Sequence, residues 1–117
     1  MIEVLAIAVG AAIGAPLRYL TDRAVAARHD PVFPWGTLIV NVTGSFALGV
    51  LAGLSVDGPL AALFGTGLCG ALTTYSTFSH ETLRLAENGA RAAALANVVT
   101  SVTLGLGAAA LGFLLCR

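Results

Sequence analysis

The sequence predicts an all-α integral membrane protein with four transmembrane helices. Three observations carry that fold class. The 117-residue chain is 57% hydrophobic and only 10% charged, whereas a soluble domain carries about 25% charged residues. Its mean hydropathy is +0.90. Four long runs, 4–17, 31–56, 58–79 and 92–116, contain no Asp, Glu, Lys or Arg. A spanning helix needs about 20 apolar residues, and three runs reach that length. Met1, Ile2 and the aliphatic stem of a snorkelling Arg18 extend the first.

The elements follow in order, as one domain over residues 1–117. Helix 1 is expected at about 2–20, followed by a helix-compatible stretch of mixed polarity, 21–29, near the interface. Glu3 replaces a basic n-region and Arg18-Tyr19 stands where a cleavage site would lie, so helix 1 is expected to be permanent rather than a signal peptide. Asp30-Pro31 and Phe33-Pro34-Trp35-Gly36 punctuate a loop. Trp35 suits the interfacial aromatic belt at the start of helix 2, about 35–54. A tight turn at 55–59 makes a hairpin with helix 3, about 60–79. A polar connection, 81–91, leads to helix 4, about 91–115.

Four spans place both termini on one side. The opposite side carries Arg23, Arg28, Arg84 and Arg91, with Arg18 at the helix end, against only Arg117 and the amino terminus on the terminal side. The positive-inside rule then puts both loops in the cytoplasm. Gly10 and Gly14, and Gly49 and Gly53, form two GxxxG pairs. Such pairs let helix backbones approach closely, either within one bundle or across a dimer seam. Cys69 and Cys116 read as small buried hydrophobes rather than a disulfide. Zero net charge gives no case for a nucleic-acid partner.

The residue inventory excludes most catalysis. His29 and His80 are far apart, and there is no HExxH, GxSxG or phosphate-binding loop. No nucleophile–base pair lies inside a span. His80 is expected at a helix end. What lies in the membrane is polar but neutral. Thr37, Asn41 and Ser45 recur every four residues on helix 2, and Asn97 and Ser101 do so on helix 4, beside Thr100. Residues 73–79, TTYSTFS, carry six hydroxyls and the ring of Phe78. An amide in hydrocarbon must face protein or a water-filled path. Three such stripes favour a pathway over interhelical hydrogen-bond glue. Amide N–H, hydroxyl O–H and the positive edges of aromatic rings suit a small anion, and Arg18 adds attraction near a mouth. In GLCGALTTYSTF, two glycines precede a run of β-branched and hydroxyl residues, so a break in helix 3 is expected, whose freed carbonyls can hold a cation.

These motifs resemble the Fluc family of small fluoride channels over nearly the whole chain. The match lies in GAAIGAPLRY (10–19), GTLIVNVTGSFALG (36–49), GLCGALTTYSTFS (67–79) and the region NVVTSVTLGLG (97–107). The resemblance implies a multi-pass protein of the cell membrane that forms an antiparallel, dual-topology dimer with two fluoride pores. It implies passive export of fluoride, which protects the cell, and no enzymatic activity. The pore is expected to use Asn41, Tyr75, Ser76, Thr77, Phe78 and Ser101, with Arg18 at its vestibule. A structural Na⁺ at the dimer interface would be held by the carbonyls of Gly70 and Thr73. One departure is Tyr75, where the family usually has Phe: the ring edge is kept and a para hydroxyl is added. A second is the arginine bias, which suggests one fixed orientation. Homodimer and heterodimer with an oppositely oriented paralogue are both expectations, and the bias favours the second. The alternative is a small multidrug-resistance-type proton-coupled cation exporter. It needs a carboxylate within helix 1, and residues 4–21 contain none.

Overall fold

The computed structural model describes residues 1–27 and 33–117, except the side chains of Ala26 and Ser76. Arg28, His29 and the expected Asp30-Pro31 punctuation lie outside the described residues. The described chain is helical: α1 Ile2–Ala26, α2 Trp35–Gly53, α3 Gly58–Ala61, a π-helix Ala62–Cys69, α4 Gly70–Leu72, α5 Ser76–Glu87 and α6 Arg91–Cys116. Among the described residues three helices, α1, α2 and α6, are long and apolar enough to cross a membrane.

Three expectations about the elements change. The first helix does not end near residue 20. It continues to Ala26, carrying Pro16 within it, because residues 21–26 contain neither Gly nor Pro to stop it. The third segment has the expected break but not the bounds 60–79. It runs α3, π, α4, breaks at residues 73–75, and resumes as α5. At the break Thr73 is extended, with φ −80° and ψ 161°. Because α5 persists to Glu87, the polar connection shrinks to residues 88–90 and His80 lies within a helix rather than at its end.

The turns end by recognisable chemistry. After α5, Gly89 takes φ 84°. Its amide bonds to the Ala86 carbonyl at 3.2 Å, and that of Ala90 bonds to the Leu85 carbonyl at 2.8 Å. This paired cap places a left-handed residue just past the helix, a position that glycine fills without a Cβ penalty. The same cap closes α2, where the amides of Ser55 and Val56 bond to the carbonyls of Ala52 and Leu51, each at 3.1 Å. There the left-handed residue is Ser55, at φ 56°.

Packing rests on bare backbone. A Cβ on Gly10 or Gly14 would strike the main chain of Leu68, and one on Gly67 would meet the Ile7 carbonyl at 2.6 Å. Thus α1 lies directly on the π segment. In the same way Gly49 and Gly53 of α2 abut the backbone of Ala109 and Phe113, and Gly112 of α6 abuts Phe46 and Val50. Both GxxxG pairs are therefore used inside the chain, where close approach gains dispersion contacts in a solvent that supplies no hydrophobic drive. The result is two sealed pairs, α1 with the π segment and α2 with α6.

Two outcomes follow for stability. Gly112→Val should lower the melting temperature in detergent by several degrees, since overpacking costs about 1–3 kcal/mol, while Gly107→Ala, which has open space, should leave it unchanged. Ser55→Gly should stabilise the chain by about 1 kcal/mol, because it removes the left-handed penalty, and a chemical-denaturation midpoint reads this directly.

Candidate functional site

The break after α4 is held by one side chain from α2. Asn41 Nδ2 donates to the Thr74 carbonyl at 3.0 Å, and Asn41 Oδ1 accepts the Thr74 amide at 2.7 Å. The carboxamide matches a peptide unit edge to edge, so it satisfies both backbone groups of a residue that has left the helix. The Thr74 amide would otherwise bond to the Gly70 carbonyl. One turn on, the Thr77 amide bonds to Thr74 Oγ1 at 3.1 Å rather than to the Thr73 carbonyl. The two carbonyls of Gly70 and Thr73 thus lose their ordinary helical partners. Thr73 itself turns back, donating both its amide, at 2.9 Å, and its hydroxyl, at 2.8 Å, to the Cys69 carbonyl.

Two cavities adjoin this break. The first, of about 190 Å³, is lined by Arg18, Tyr19 and Asp22 from α1, Thr37 from α2, and Thr74 and Thr77. It is the charged one. The Asp22 carboxylate packs against Gly36, in the first turn of α2, where the helix dipole favours negative charge. At its edge buried Thr37 donates to Glu81 Oε1, joining α2 to α5. The second cavity, of about 340 Å³, is lined by Asn41, Ser45, Leu48, Thr73, Thr74, Tyr75, Phe78, Ser101, Val102 and Gly105. Among the described residues, no Asp, Glu, His, Lys or Arg lines it. The Tyr75 and Phe78 rings lie 6.2 Å apart, tilted by 45°, and Tyr75 is 81% exposed.

The polar stripes of α2, the third segment and α6 therefore converge. Asn41, Tyr75, Phe78 and Ser101 share the second cavity; Arg18 and Thr77 line the first. Ser76 opens α5 and its side chain is outside the described residues. Gly70 and Thr73 stand at the broken helix end, off the first cavity. Asn97 behaves differently from its stripe-mate Ser101. It is fully buried and links the helices: Asn97 Nδ2 donates to Thr82 Oγ1 at 2.7 Å, and Thr82 donates to the Phe78 carbonyl at 2.8 Å. Ser101 Oγ donates to Asn97 Oδ1 at a long 3.4 Å. This relay anchors the Phe78 turn of α5 to α6. Among the described residues no buried side-chain polar atom lacks a partner.

Sequence reasoning did not single out Thr74, Asp22, Glu81 or Thr82. Thr74 was one hydroxyl among six, and nothing local distinguishes the one whose backbone is clamped. Asp22 and Glu81 lie near the ends of predicted spans, but Glu3, Asp30 and Asp57 lie closer, so position in the sequence does not pick them out.

The clamp has a direct readout. Asn41→Ala removes two hydrogen bonds worth about 1 kcal/mol each, so exchange of the Thr74 amide with solvent deuterium should rise by about tenfold or more. Unchanged exchange would contradict the clamp.

Comparison with known proteins identifies the family. The family model described as CrcB-like protein, Camphor Resistance (CrcB), matches residues 5–113. A protein of Frankia casuarinae named fluoride-specific ion channel FluC 1 is 62% identical over 117 residues, covering 92% of this chain and 91% of its own. One of the same name from Streptomyces avermitilis is 62% identical over 107 residues, covering 88% and 86%. A protein of Mycobacterium tuberculosis named fluoride-specific ion channel FluC 2 is 55% identical over 100 residues, covering 86% and 79%. With matches of this extent, the chain belongs to the CrcB-like family.

Proposed function

We propose that this chain is a fluoride-selective channel of the cell membrane, a passive conductor and not an enzyme, which lets fluoride leave the cell down its gradient. The observation that carries the reading is the second cavity: neutral donors and ring edges from three helical segments, with no ionised side chain among them. Fluoride is small and strongly hydrated. A fixed positive charge at this depth would trap it, whereas several weak donors replace its water in steps and release it again. Arg18 in the first cavity raises the local anion concentration without sitting on the inner path.

The donors are arranged by their neighbours. Asn41 has committed Oδ1 and one N–H to Thr74, so its second N–H is the one offered to an anion. Phe78 presents its ring from a turn fixed by Thr82 and Asn97. Tyr75, the more exposed ring, adds a hydroxyl to its edge. Thr77, at the first cavity, and Ser101, in the second, would extend the polar track, to which the family resemblance adds Ser76.

The reading includes an oppositely oriented second subunit. A single chain of 46 × 29 × 23 Å leaves little volume for a polar path, and the exposure of Tyr75 leaves the second cavity with an open side for a partner to cover. In such a dimer the discontinuous segment, α3 to α5, would serve as the fourth crossing. The carbonyls of Gly70 and Thr73, released from helix bonding, fit a structural Na⁺ at the interface. Bound there, Na⁺ would neutralise the two exposed helix-end dipoles and hold the break in place. The arginine bias favours a paralogue over a second copy as the partner. Orientation mapping tests this: equal insertion in both directions would sink the paralogue.

The function is tested by efflux from liposomes, with chloride as control. Fluoride should leave at least about a hundredfold faster than chloride, and Asn41→Ala should slow it by about tenfold or more, the loss of one well-placed donor. If neither this chain alone nor this chain with its paralogue releases fluoride, the reading is wrong.

A further inference from the structure

The hydroxyls around the break differ in where their protons point. Those of Thr37, Thr73, Thr82 and Ser101 are donated internally, to Glu81, Cys69, Phe78 and Asn97. A hydroxyl carries a single proton, so each of these can serve an anion only by first breaking an existing bond. Thr74 is arranged the other way. Its Oγ1 accepts the Thr77 amide at 3.1 Å, and its proton has no acceptor among the described residues.

Its position is equally particular. The first cavity and the second have one lining residue in common, Thr74. Its backbone is pinned on both sides by Asn41, and its hydroxyl oxygen is pinned by the Thr77 amide. What remains free is rotation of one O–H about a fixed oxygen, at the wall between the charged cavity and the neutral one.

We propose that Thr74 is the transfer donor of this channel, and a determinant of its selectivity: its hydroxyl hands the anion from the cavity of Arg18 and Thr77 to the cavity of Asn41 and Ser45. The oxygen stays in place while the proton turns from one side to the other, so the anion keeps a donor as it sheds water. A larger anion is held less well by a single short O–H contact, and the step discriminates against it. This rests on the fluoride reading above, and the two fail separately.

The test compares Thr74→Val and Thr74→Ser in efflux-competent liposomes, beside the unsubstituted chain. Valine keeps the shape and the backbone groups that Asn41 holds but has no hydroxyl; serine keeps the hydroxyl. Thr74→Val should slow fluoride efflux by about tenfold or more and lower the fluoride-to-chloride ratio, while Thr74→Ser should stay within about threefold of the unsubstituted rate, as expected for loss or retention of one hydrogen bond. Deuterium exchange at the residue 74 amide reports whether the clamp survives. If valine disturbs the clamp, serine decides: recovery of rate and ratio supports the donor, and no recovery overturns it. Unchanged efflux and ratio in Thr74→Val overturn it outright. If the unsubstituted chain, with or without a paralogue, releases no fluoride, the functional reading fails first and this inference falls with it.

Discussion

Two hydrogen bonds between Asn41 and Thr74 hold the rest of the site in place. A helix cannot stop inside a membrane unless its orphaned amides and carbonyls find partners. Asn41 supplies both partners for one residue, and the chain is then free to change direction at residues 73–75. Everything functional follows from that change. The Gly70 and Thr73 carbonyls come free, the Tyr75 and Phe78 rings start a new helix with a new heading, and Thr73, Thr74, Tyr75 and Thr77 divide between two cavities instead of lying along one helix face.

A side-chain amide is well suited to this task. An ionised group could bind the same backbone but would leave charge in the path, and a hydroxyl could satisfy only one of the two groups at a time. The amide closes the break and still keeps one N–H in reserve. On the proposed function, structure and conduction would be served by the same residue, and a substitution there would remove both at once. Asn97 takes the more conservative part. Fully buried, it fixes α5 on α6 through Thr82 and has no direct outlet to the cavity.

Much of this was legible in the sequence. Charge-free runs located α1, α2 and α6 because a spanning helix leaves a compositional signature. The spacing of Thr37, Asn41 and Ser45 and of Asn97 and Ser101 gave two polar faces, and glycines ahead of TTYSTFS marked the break. Three things were not legible. The extension of α1 to Ala26 and of α5 to Glu87 depends on where stop signals are absent, which is a weaker cue than their presence. The π-helix at Ala62–Cys69 has no periodic signature in so short a stretch; Gly65 and Gly67 permit it without announcing it. The pairing of Asn41 with Thr74 spans 33 positions of sequence, and nothing local says which hydroxyl-bearing residue an amide will choose.

The glycine seams have a consequence for handling the protein outside its bilayer. Contacts of backbone on backbone, as between Gly49 and Ala109 or Gly67 and Ile7, depend on fit and hardly on the surrounding medium. The bonds around the break depend on dryness, because water competes for every amide and hydroxyl it reaches. Solubilisation should therefore act unevenly. The two sealed helix pairs would persist in a micelle, giving ordinary helix content and a sharp elution peak, while the segment at residues 73–77 loosens first. A sample that looks intact by bulk spectroscopy can have lost its conducting geometry, and lipid restored early in purification protects the part of the molecule that those assays do not see.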